Sequence, residues 1–280
     1  MKTILFNGCS MVTGDAFIWE KYCHDNNFYL DWFSKCDSNF EIEFKEKYRK
    51  EYRRKYNLPS IVSENLGLQV IDLSEDGNSN DAITMSTINF LLSMPHEERK
   101  NFHVVIGWSS AYRRMVWCKG PDYYKSLHNV HIEEQYQDKS IIHLIPYVKE
   151  AIIMADIQDH FYNYVKNIML LENFLKVNSC DYTFYRSIGN SQEFRNCSLN
   201  SIGHQETNKN FPKFDIYTDH DKWYKFKNTD TVPFIQNSVY SLYLSYKDYN
   251  RISDKNGHPK YEVIKDLASN ISTFLRQKIF

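Results

Sequence analysis

Short apolar runs alternate with longer segments of helical periodicity along this chain. Each apolar run is followed by small or polar residues, which is typical of buried strands that end in loops. The runs are Ile4–Phe6, Leu68–Leu73, Val104–Ile106 and Tyr182–Tyr185. The helical segments, which repeat apolar residues every three or four positions, are Asn80–Leu92, Ile157–Val177 and Tyr261–Arg276. Strands alternating with helices predict an α/β fold with a mostly parallel sheet that helices cover on both faces.

Two segments do not fit a minimal strand–helix unit. They are residues 17–59 and residues 189–253, the second of which is polar, aromatic and rich in Asn, Asp and Lys. Neither segment is bordered by a linker rich in Gly, Ser and Pro. We therefore interpret residues 1–280 as a single domain that carries two insertions over one body.

Composition narrows the classes of function. The net charge of −1 and the pI near 6.8 do not favour nucleic acid or an anionic membrane as a partner. No window approaches the ~18 apolar residues of a membrane span, and no apolar signal segment comes first. The cysteines form no C-x-x-C pair, so we expect free thiols in a reducing cytoplasm; they are Cys9, Cys23, Cys36, Cys118, Cys180 and Cys197.

Small and polar residues follow each predicted strand, at the end where open α/β sheets bind ligands. In chain order they are Gly8-Cys9-Ser10 with Gly14, then Asp76 to Asn80, then Gly107 to Ser110 with Arg113 and Arg114, and finally Asn256 to Pro259 before the last helix. These segments predict one rim that brings together a serine, two glycine turns, small polar side chains and a histidine.

This order of motifs resembles the SGNH (GDSL) hydrolase superfamily, and within it a divergent branch common in phages. The matching motifs are GCSMVTG from Gly8 to Gly14, the glycine turn at Gly77, the turn at Gly107 and the segment from Asp254 to Pro259. The resemblance covers residues 1–15, 66–115, 157–188 and 254–280. It implies a three-layer α/β/α fold with a flavodoxin-like sheet and serine esterase chemistry, without a metal or a cofactor.

By this resemblance Ser10 is the nucleophile and His258 the base. A serine hydroxyl is a poor nucleophile until a base within hydrogen-bond reach takes its proton. Asp254 stands four residues before His258, where the family has its acid three residues before. Either Asp254 or a backbone carbonyl orients the imidazole, or Ser10 and His258 act as a dyad.

The resemblance also implies an oxyanion hole. Its backbone donors are the N–H groups of Ser10 and Gly77, and Ser109 stands where the family has an asparagine side chain. Asn78 and Asn80 are alternative side-chain donors.

Three residues are predicted to contact substrate: Asn80, Trp108 and Arg113. Arg113 and Arg114 would hold an anionic group of the substrate, or would only cap the rim of the sheet. The expected substrate is a small or carbohydrate ester that carries an O-acyl group.

Structural roles compete with catalytic ones at several of these positions. Ser10 would also serve as a helix N-cap, and Gly77 as a tight turn before caps at Asn78 and Asn80. His258 would also be an ordinary loop residue. Cys9 is expected to pack beneath its turn. An inactive SGNH-like phage structural or interaction protein is therefore the first alternative function.

Two further segments suggest other ligands. Residues 44–56, FKEKYRKEYRRKY, carry seven basic residues with Tyr48, Tyr52 and Tyr56 on one helical face. This pattern would bind nucleic acid, although a solvated helix that packs its tyrosines on the body is favoured. His128 and His131 have a spacing that suits a metal, but lack further ligands at matching distance and are interpreted as surface residues.

Overall fold

The computed structural model describes residues 2–14, 18, 21–23, 25–26, 44–111, 113–117, 124–127, 157–187, 222 and 261–280. The elements are, in chain order, β1 (Thr3–Gly8), α1 (Ser10–Thr13), a π-helical turn (Phe44–Tyr48), α2 (Arg49–Tyr56), α3 (Leu58–Leu66), β2 (Val70–Asp72), α4 (Asn80–Leu92), α5 (His96–Arg99), β3 (Phe102–Trp108), β4 (Arg114–Trp117), β5 (Tyr124–Leu127), α6 (Ile157–Val177), β6 (Asp181–Arg186) and α7 (Tyr261–Ile279).

Four of the strands form a parallel sheet in the order β2-β1-β3-β6. In the central pair, Thr3 lies opposite Phe102 and Gly8 opposite Gly107. β4 and β5 pair antiparallel as a separate two-stranded sheet. The prediction of a mostly parallel α/β sheet is therefore confirmed.

Helices cover the parallel sheet on both faces. Ile4 and Phe6 of β1 pack on one face with apolar residues of α3 and α7. Leu5 points to the opposite face, where it packs with residues of α4 and α6. Because side chains alternate along a strand, a continuous apolar run such as ILF serves both layers. The described chain is thus a three-layer α/β/α arrangement.

The boundaries of the long helices agree closely with the sequence pattern. α4 and α6 begin and end at the predicted residues, and α7 continues three residues beyond Arg276, to Ile279. The strands differ more, since β3 extends two residues beyond the predicted run at each end and β2 is shorter than predicted. Strand ends depend on the partner strand as well as on local pattern.

α3 was not predicted, although its ends carry strong signals. The Asn57 side chain accepts a hydrogen bond from Ser60 N at 2.9 Å, Pro59 lies in the first turn, and Gly67 ends the helix at φ +65°. Val62 lies in the core beside β1 and α7. The predicted end of the first insertion, residue 59, therefore falls inside a helix of the main layer. Residues 189–253 lie outside the described residues except Lys222.

Helices α3 and α7 run side by side and both begin at the carboxyl end of the sheet. Nδ2 of Asn57, beside the start of α3, donates to Asp72 Oδ2 at the end of β2, at 2.8 Å. The ring of Tyr56 contacts that of Tyr261, the first residue of α7, with centroids 5.8 Å apart. At their other ends, Arg276 of α7 donates to a carbonyl in the last turn of α3 at 2.8 Å.

A buried histidine lies in the middle of the sheet. His103 on β3 is 1% exposed, and its Nε2 lies 2.9 Å from Thr183 Oγ1 on β6. Burial, together with the nearby charges of Lys2, Lys222 and Lys278, lowers the pKa of His103 to about 3. The imidazole is therefore neutral in the folded protein at neutral pH.

This burial makes folding stability depend on pH. Because the folded pKa is below the unfolded value of about 6.5, the unfolded chain binds more protons between these values, and stability falls as the pH falls through this window. At pH 5 the loss from His103 is expected to be about 2 kcal/mol. Urea unfolding at pH 7 and pH 5 should show that His103→Gln removes this loss, whereas exposed His96→Gln keeps it. Equal losses in wild type and His103→Gln would contradict this account.

Candidate active site

The turn after β1 is built around a close approach of two strands. A Cβ on Gly8 would lie 2.2 Å from Val12 Cγ2 and 3.0 Å from Gly107 O, so only glycine fits there. Cys9 is fully buried, as predicted for a residue that packs beneath the turn. Ser10 then begins α1 at the carboxyl end of β1; its side chain lies outside the described residues.

Hydrogen bonds hold the loop after β1 against the loop after β2. The carbonyl oxygen of Gly8 accepts from Glu75 N at 3.2 Å and from Asn78 Nδ2 at 3.3 Å. Thr13 Oγ1 of α1 donates to Asp76 Oδ1 at 2.5 Å. The two loops that carry Ser10 and Gly77 are thus connected by both backbone and side-chain contacts.

The loop after β2 is also held from the side of α2. Nη2 of Arg49 donates to Asp76 Oδ2 at 2.7 Å. Asp76 therefore bridges α1 and α2, a role that sequence reasoning missed. An acidic residue directly before a glycine turn was the available signal.

Gly77 faces open space at the rim. Its φ is +75°, which glycine adopts without strain, and no heavy atom lies within 4 Å of the place where a Cβ would stand. The turn is therefore accessible from solvent, and its glycine is explained by backbone conformation.

Asn80 joins the loop after β2 to the loop after β3. Its Oδ1 accepts from Ser109 N at 2.8 Å, and its Nδ2 donates to the carbonyl oxygens of Ser109 and Ser110 at 3.2 and 3.1 Å. Asn80 is 1% exposed. Its amide is occupied by backbone groups, so the predicted role in binding substrate is wrong and its role is to position the β3 loop.

The cap of α4 is Ser79, where Asn78 and Asn80 were predicted. Ser79 has extended backbone angles, and its side chain accepts from Ala82 N at 3.2 Å. Asn78 is buried and donates to the Gly8 carbonyl, so its side chain braces the two loops. The Asn80 amide nitrogen uses both of its N–H groups on backbone carbonyls. The Asn78 amide nitrogen has one described acceptor, so the oxyanion role predicted for Asn78 stays a prediction.

Trp108 was predicted to contact substrate, and the structure contradicts this. Its side chain is fully buried among the apolar residues between the sheet and α6. The indole ring contacts those of Tyr164 and Phe184 edge-on, with centroids 6.2 and 5.3 Å away. Trp108 is the last residue of β3, and the alternation of side chains between the two faces continues to this position. Its side chain therefore points into the core.

Ser109 lies at the carboxyl end of β3, directly after the strand. Ser109 is fully buried, and its Oγ has no hydrogen-bond partner among the described residues. A buried hydroxyl without a partner is uncommon and calls for an explanation. The oxyanion role predicted for Ser109 stays a prediction.

The two arginines after β3 take different positions. Arg113 is half-buried and donates through Nη1 to the Asn78 carbonyl at 3.4 Å, so it lies against the β2 loop as a candidate for substrate contact. Burial lowers the pKa of the Arg114 guanidinium, while the charges of Asp81 and Asp159 oppose this effect. Arg114 therefore lies within electrostatic range of one carboxylate on α4 and one on α6.

Asn7, which the sequence analysis did not select, connects the end of β1 to α4 through buried hydrogen bonds. Its Nδ2 lies 2.8 Å from both Ser86 Oγ and Thr87 Oγ1, and 3.1 Å from the Ile83 carbonyl. Its Oδ1 accepts from Gly8 N at 2.8 Å. An asparagine inside an apolar strand was the signal, since a buried amide requires partners.

Two tyrosines under the rim are poor acid–base candidates. Burial raises the pKa of Tyr164 to about 12, although the charge of Arg186 opposes this effect. Burial also raises the pKa of Tyr185 well above its usual value. Both phenols are therefore neutral at physiological pH and contribute packing and polarity to the site.

The tyrosines of the basic segment pack on the body. Tyr48, Tyr52 and Tyr56 are partly buried against the core that contains α3 and α7. The ring of Tyr22 lies 5.2 Å from that of Tyr48 and 5.3 Å from that of Tyr52. The predicted packing of these tyrosines on the body is confirmed, and nucleic-acid binding by the segment stays a prediction.

The predicted catalytic residues Asp254 and His258, and the histidine pair His128 and His131, lie outside the described part of the chain. Among the described residues, no group of three or more His, Cys, Asp or Glu side chains is placed to hold a metal ion. In the same part of the chain, no helix is long and apolar enough to cross a membrane. Among the described cysteines, Cys9 and Cys180 are buried free thiols, as predicted, and Cys23 is also buried.

Comparison with known proteins places the chain in a family. No curated protein matches it. A model described as "Family of unknown function (DUF6071)" matches residues 42–207, which is more than half of the chain. This segment contains Gly77, Ser109 and the basic helix, but neither Ser10 nor His258. The chain therefore belongs to the DUF6071 family of unknown function.

Proposed function

We propose that this protein is a serine-dependent esterase of SGNH type, with Ser10 as nucleophile and His258 as base. The observation that carries the proposal is the junction of three loops at the carboxyl edge of the parallel sheet. Ser10, Gly77 and Ser109 follow the adjacent strands β1, β2 and β3. Direct hydrogen bonds connect the β2 loop to the other two.

The strand order supports this location. In the order β2-β1-β3-β6, the chain leaves β1 toward one edge and later returns on the other side of β1 as β3. In open α/β sheets such a reversal leaves a crevice outside the carboxyl ends of the two strands, where ligands bind. The turn with Ser10 and the loop with Ser109 follow these two strands.

The start of α7 supports the choice of base. α7 begins with Tyr261 at the carboxyl end of the sheet, beside Tyr56. His258 precedes Tyr261 by three residues, and three residues span at most about 11 Å. The described start of α7 therefore suits a base that serves the loops at this rim.

The proposed chemistry is acyl transfer in two steps. Ser10 Oγ attacks the ester carbonyl while His258 takes the serine proton, and the resulting oxyanion accepts hydrogen bonds from the N–H groups of Ser10 and Gly77. His258 then protonates the leaving alcohol. Water, activated by the same imidazole, releases the acid from the acyl-enzyme.

The remaining residues have supporting roles in this proposal. Ser109 is the third donor, because its Oγ is buried without a described partner. Arg113, which lies against the β2 loop, is the proposed contact for an anionic or polar group of the substrate. Asn78 and Asn80 hold the loops at fixed separation, so that the donors are preorganised. O-acyl carbohydrates are the proposed substrates.

A non-catalytic SGNH-like protein is the second candidate. The observation that favours it is the extent of the family match, which includes neither Ser10 nor His258. Hydrolysis of p-nitrophenyl acetate by the purified wild type, compared with Ser10→Ala, separates the two candidates. Turnover that Ser10→Ala lacks supports the esterase, and equal background rates for both proteins support the non-catalytic role.

Gly77→Ala tests the proposed oxyanion hole. Alanine at a positive φ costs about 1 kcal/mol of stability and moves the backbone N–H, so kcat/KM on the aryl ester should fall about tenfold (~1.4 kcal/mol). Gly67→Ala is the matched control, because Gly67 also has a positive φ of +65° and open space around its Cβ position. It should lose similar stability at unchanged kcat/KM. Equal kinetics for the two variants would remove Gly77 from the site.

A further inference from the structure

β2 forms one edge of the described sheet, and half of its backbone groups point away from β1. Ile4 N donates to Gln69 O at 2.9 Å, and Leu73 N donates to Phe6 O at 2.8 Å. Hydrogen-bonding groups alternate in direction along a strand, so Val70 and Asp72 present their N–H and C=O groups outward. No described residue pairs with these outward groups.

A groove of about 940 Å³ runs along this edge. We call it the edge groove; it is lined by Val70 and Asp72 of β2, by residues of α2 and α3, by the loop after β2 and by Ser86 of α4. It therefore lies between the helical layers of the two faces, with the strand edge exposed along it. This is the position that an added strand would take.

The wall formed by α2 is basic. Lys50, Arg53, Arg54 and Lys55 all line the edge groove. Arg53 is held by Asp72, whose carboxylate lies 3.3 Å from its Nη2. The other three cations have no carboxylate partner among the described residues.

Two carboxylates partly offset this charge. Glu64 of α3 and Glu75 after β2 also line the edge groove, and neither has a described cation partner. Three cations against two carboxylates leave a positive excess, and the cations come from α2 alone. A ligand strand with acidic side chains directed toward α2 would therefore be favoured.

The polar side chains along the groove are largely occupied within the protein. Asn57 binds Asp72 and Ser60, Asn78 binds Gly8, and Ser63 donates to Leu68 O. The groups left for a ligand are the outward backbone of β2 and the cations of α2. A polyanion would use only the cations, whereas an extended peptide would use both.

We propose that the edge groove binds an extended acidic peptide segment of a partner protein, which adds to the sheet as a parallel or antiparallel strand beside β2. The β2 edge supplies main-chain hydrogen bonds, which give such complexes much of their affinity. Alternate side chains of the added strand point to the α2 wall. The recognised pattern is therefore an acidic residue at every second position. This proposal does not depend on the proposed esterase activity of Ser10.

The test uses the full chain and two labelled peptides, acetyl-TVETETVT-amide and the same peptide with Lys at both Glu positions. Fluorescence anisotropy should show binding of the Glu peptide, with at least tenfold weaker binding of the Lys peptide. Lys50→Gln/Arg54→Gln should also weaken the Glu peptide about tenfold. Amide hydrogen exchange should slow at Val70 and Asp72 when the Glu peptide is bound.

Val70→Pro separates strand addition from simple charge attraction. Proline is tolerated on an edge strand where the N–H points away from the sheet, so it removes an outward donor and leaves the contacts with β1. It should weaken the Glu peptide about tenfold. Hydrogen exchange on wild type keeps the test decisive if this variant does not fold.

Two outcomes would overturn the proposal. In the first, neither peptide binds at concentrations up to 1 mM, roughly the weak limit of specific recognition. In the second, the Glu peptide binds but exchange at Val70 and Asp72 is unchanged, and the affinity depends on salt and on the α2 cations alone. The second result would assign the edge groove to polyanions such as nucleic acid.

Discussion

Ser10→Ala is expected to reduce kcat/KM for ester hydrolysis by on the order of 10⁴-fold to 10⁶-fold. His258→Ala should cause a loss of similar size, because a serine hydroxyl without its base is a poor nucleophile. The double variant should be little worse than either single variant, since coupled catalytic residues are strongly non-additive. Steady-state kinetics on a short-chain aryl ester measure all three losses.

Two controls distinguish catalysis from structure. Cys9→Ala should leave kcat/KM nearly unchanged, because Cys9 is fully buried beneath the turn. Asp254→Ala should cost less than loss of Ser10 or His258, because its place four residues before His258 differs from the family spacing. Additive losses for Ser10→Ala and His258→Ala would show that the two residues do not act as one unit.

Asn80→Ala is expected to lower the free energy of unfolding by about 3 kcal/mol. The truncation leaves the buried Ser109 N–H without its acceptor and removes donors from two carbonyl groups. Each buried polar group left unsatisfied costs about 1 to 3 kcal/mol. Urea unfolding followed by circular dichroism gives this difference.

Two further substitutions test the assigned contacts of Asn80. Asn80→Asp keeps an acceptor for Ser109 N but places a second oxygen against two carbonyl groups, so it should be at least as destabilising as alanine. Asn89→Ala, at an exposed position of α4, should change stability by less than about 0.5 kcal/mol. If Asn80→Ala were as mild as Asn89→Ala, the bridge between the β2 and β3 loops would not be important for stability.

The α/β organisation and the long helices were predictable because their apolar residues follow one period over many turns. The apolar residues that α6 buries are Tyr164, Val165, Ile168, Leu171 and Leu175, all of which belong to the predicted stripe. The β4–β5 pair was not predictable, since each strand has four residues and takes its hydrogen bonds from the other. Short strands carry little period of their own.

The positions of the candidate site residues were predictable, but their contacts were not. Gly77 and Ser109 follow β2 and β3 in the structure, as predicted. This was predictable because the apolar runs of the sequence locate the two strands. Asn80 was predicted to be a helix cap, an oxyanion donor or a substrate contact. Its actual partners are 29 and 30 residues away along the chain. Such partners depend on how the loops meet, which local patterns do not encode.

Trp108 shows a second limit of the sequence pattern. An aromatic residue at the end of a strand suits both a ligand contact and a core position, and the choice depends on which face the strand turns inward. The full burial of Trp108 against α6 shows that this residue belongs to the core. Arg186, buried at the end of β6, was overlooked because it closes an apolar run.

The most direct measurement of the central claim is covalent labelling of the wild-type protein with a serine-directed fluorophosphonate, followed by mass spectrometry of the modified peptide. The proposal predicts a single adduct on Ser10 that is absent from Ser10→Ala and much slower to form in His258→Ala. A folded wild type that shows no adduct, or that carries it on Cys9, would contradict the assignment of Ser10 as nucleophile.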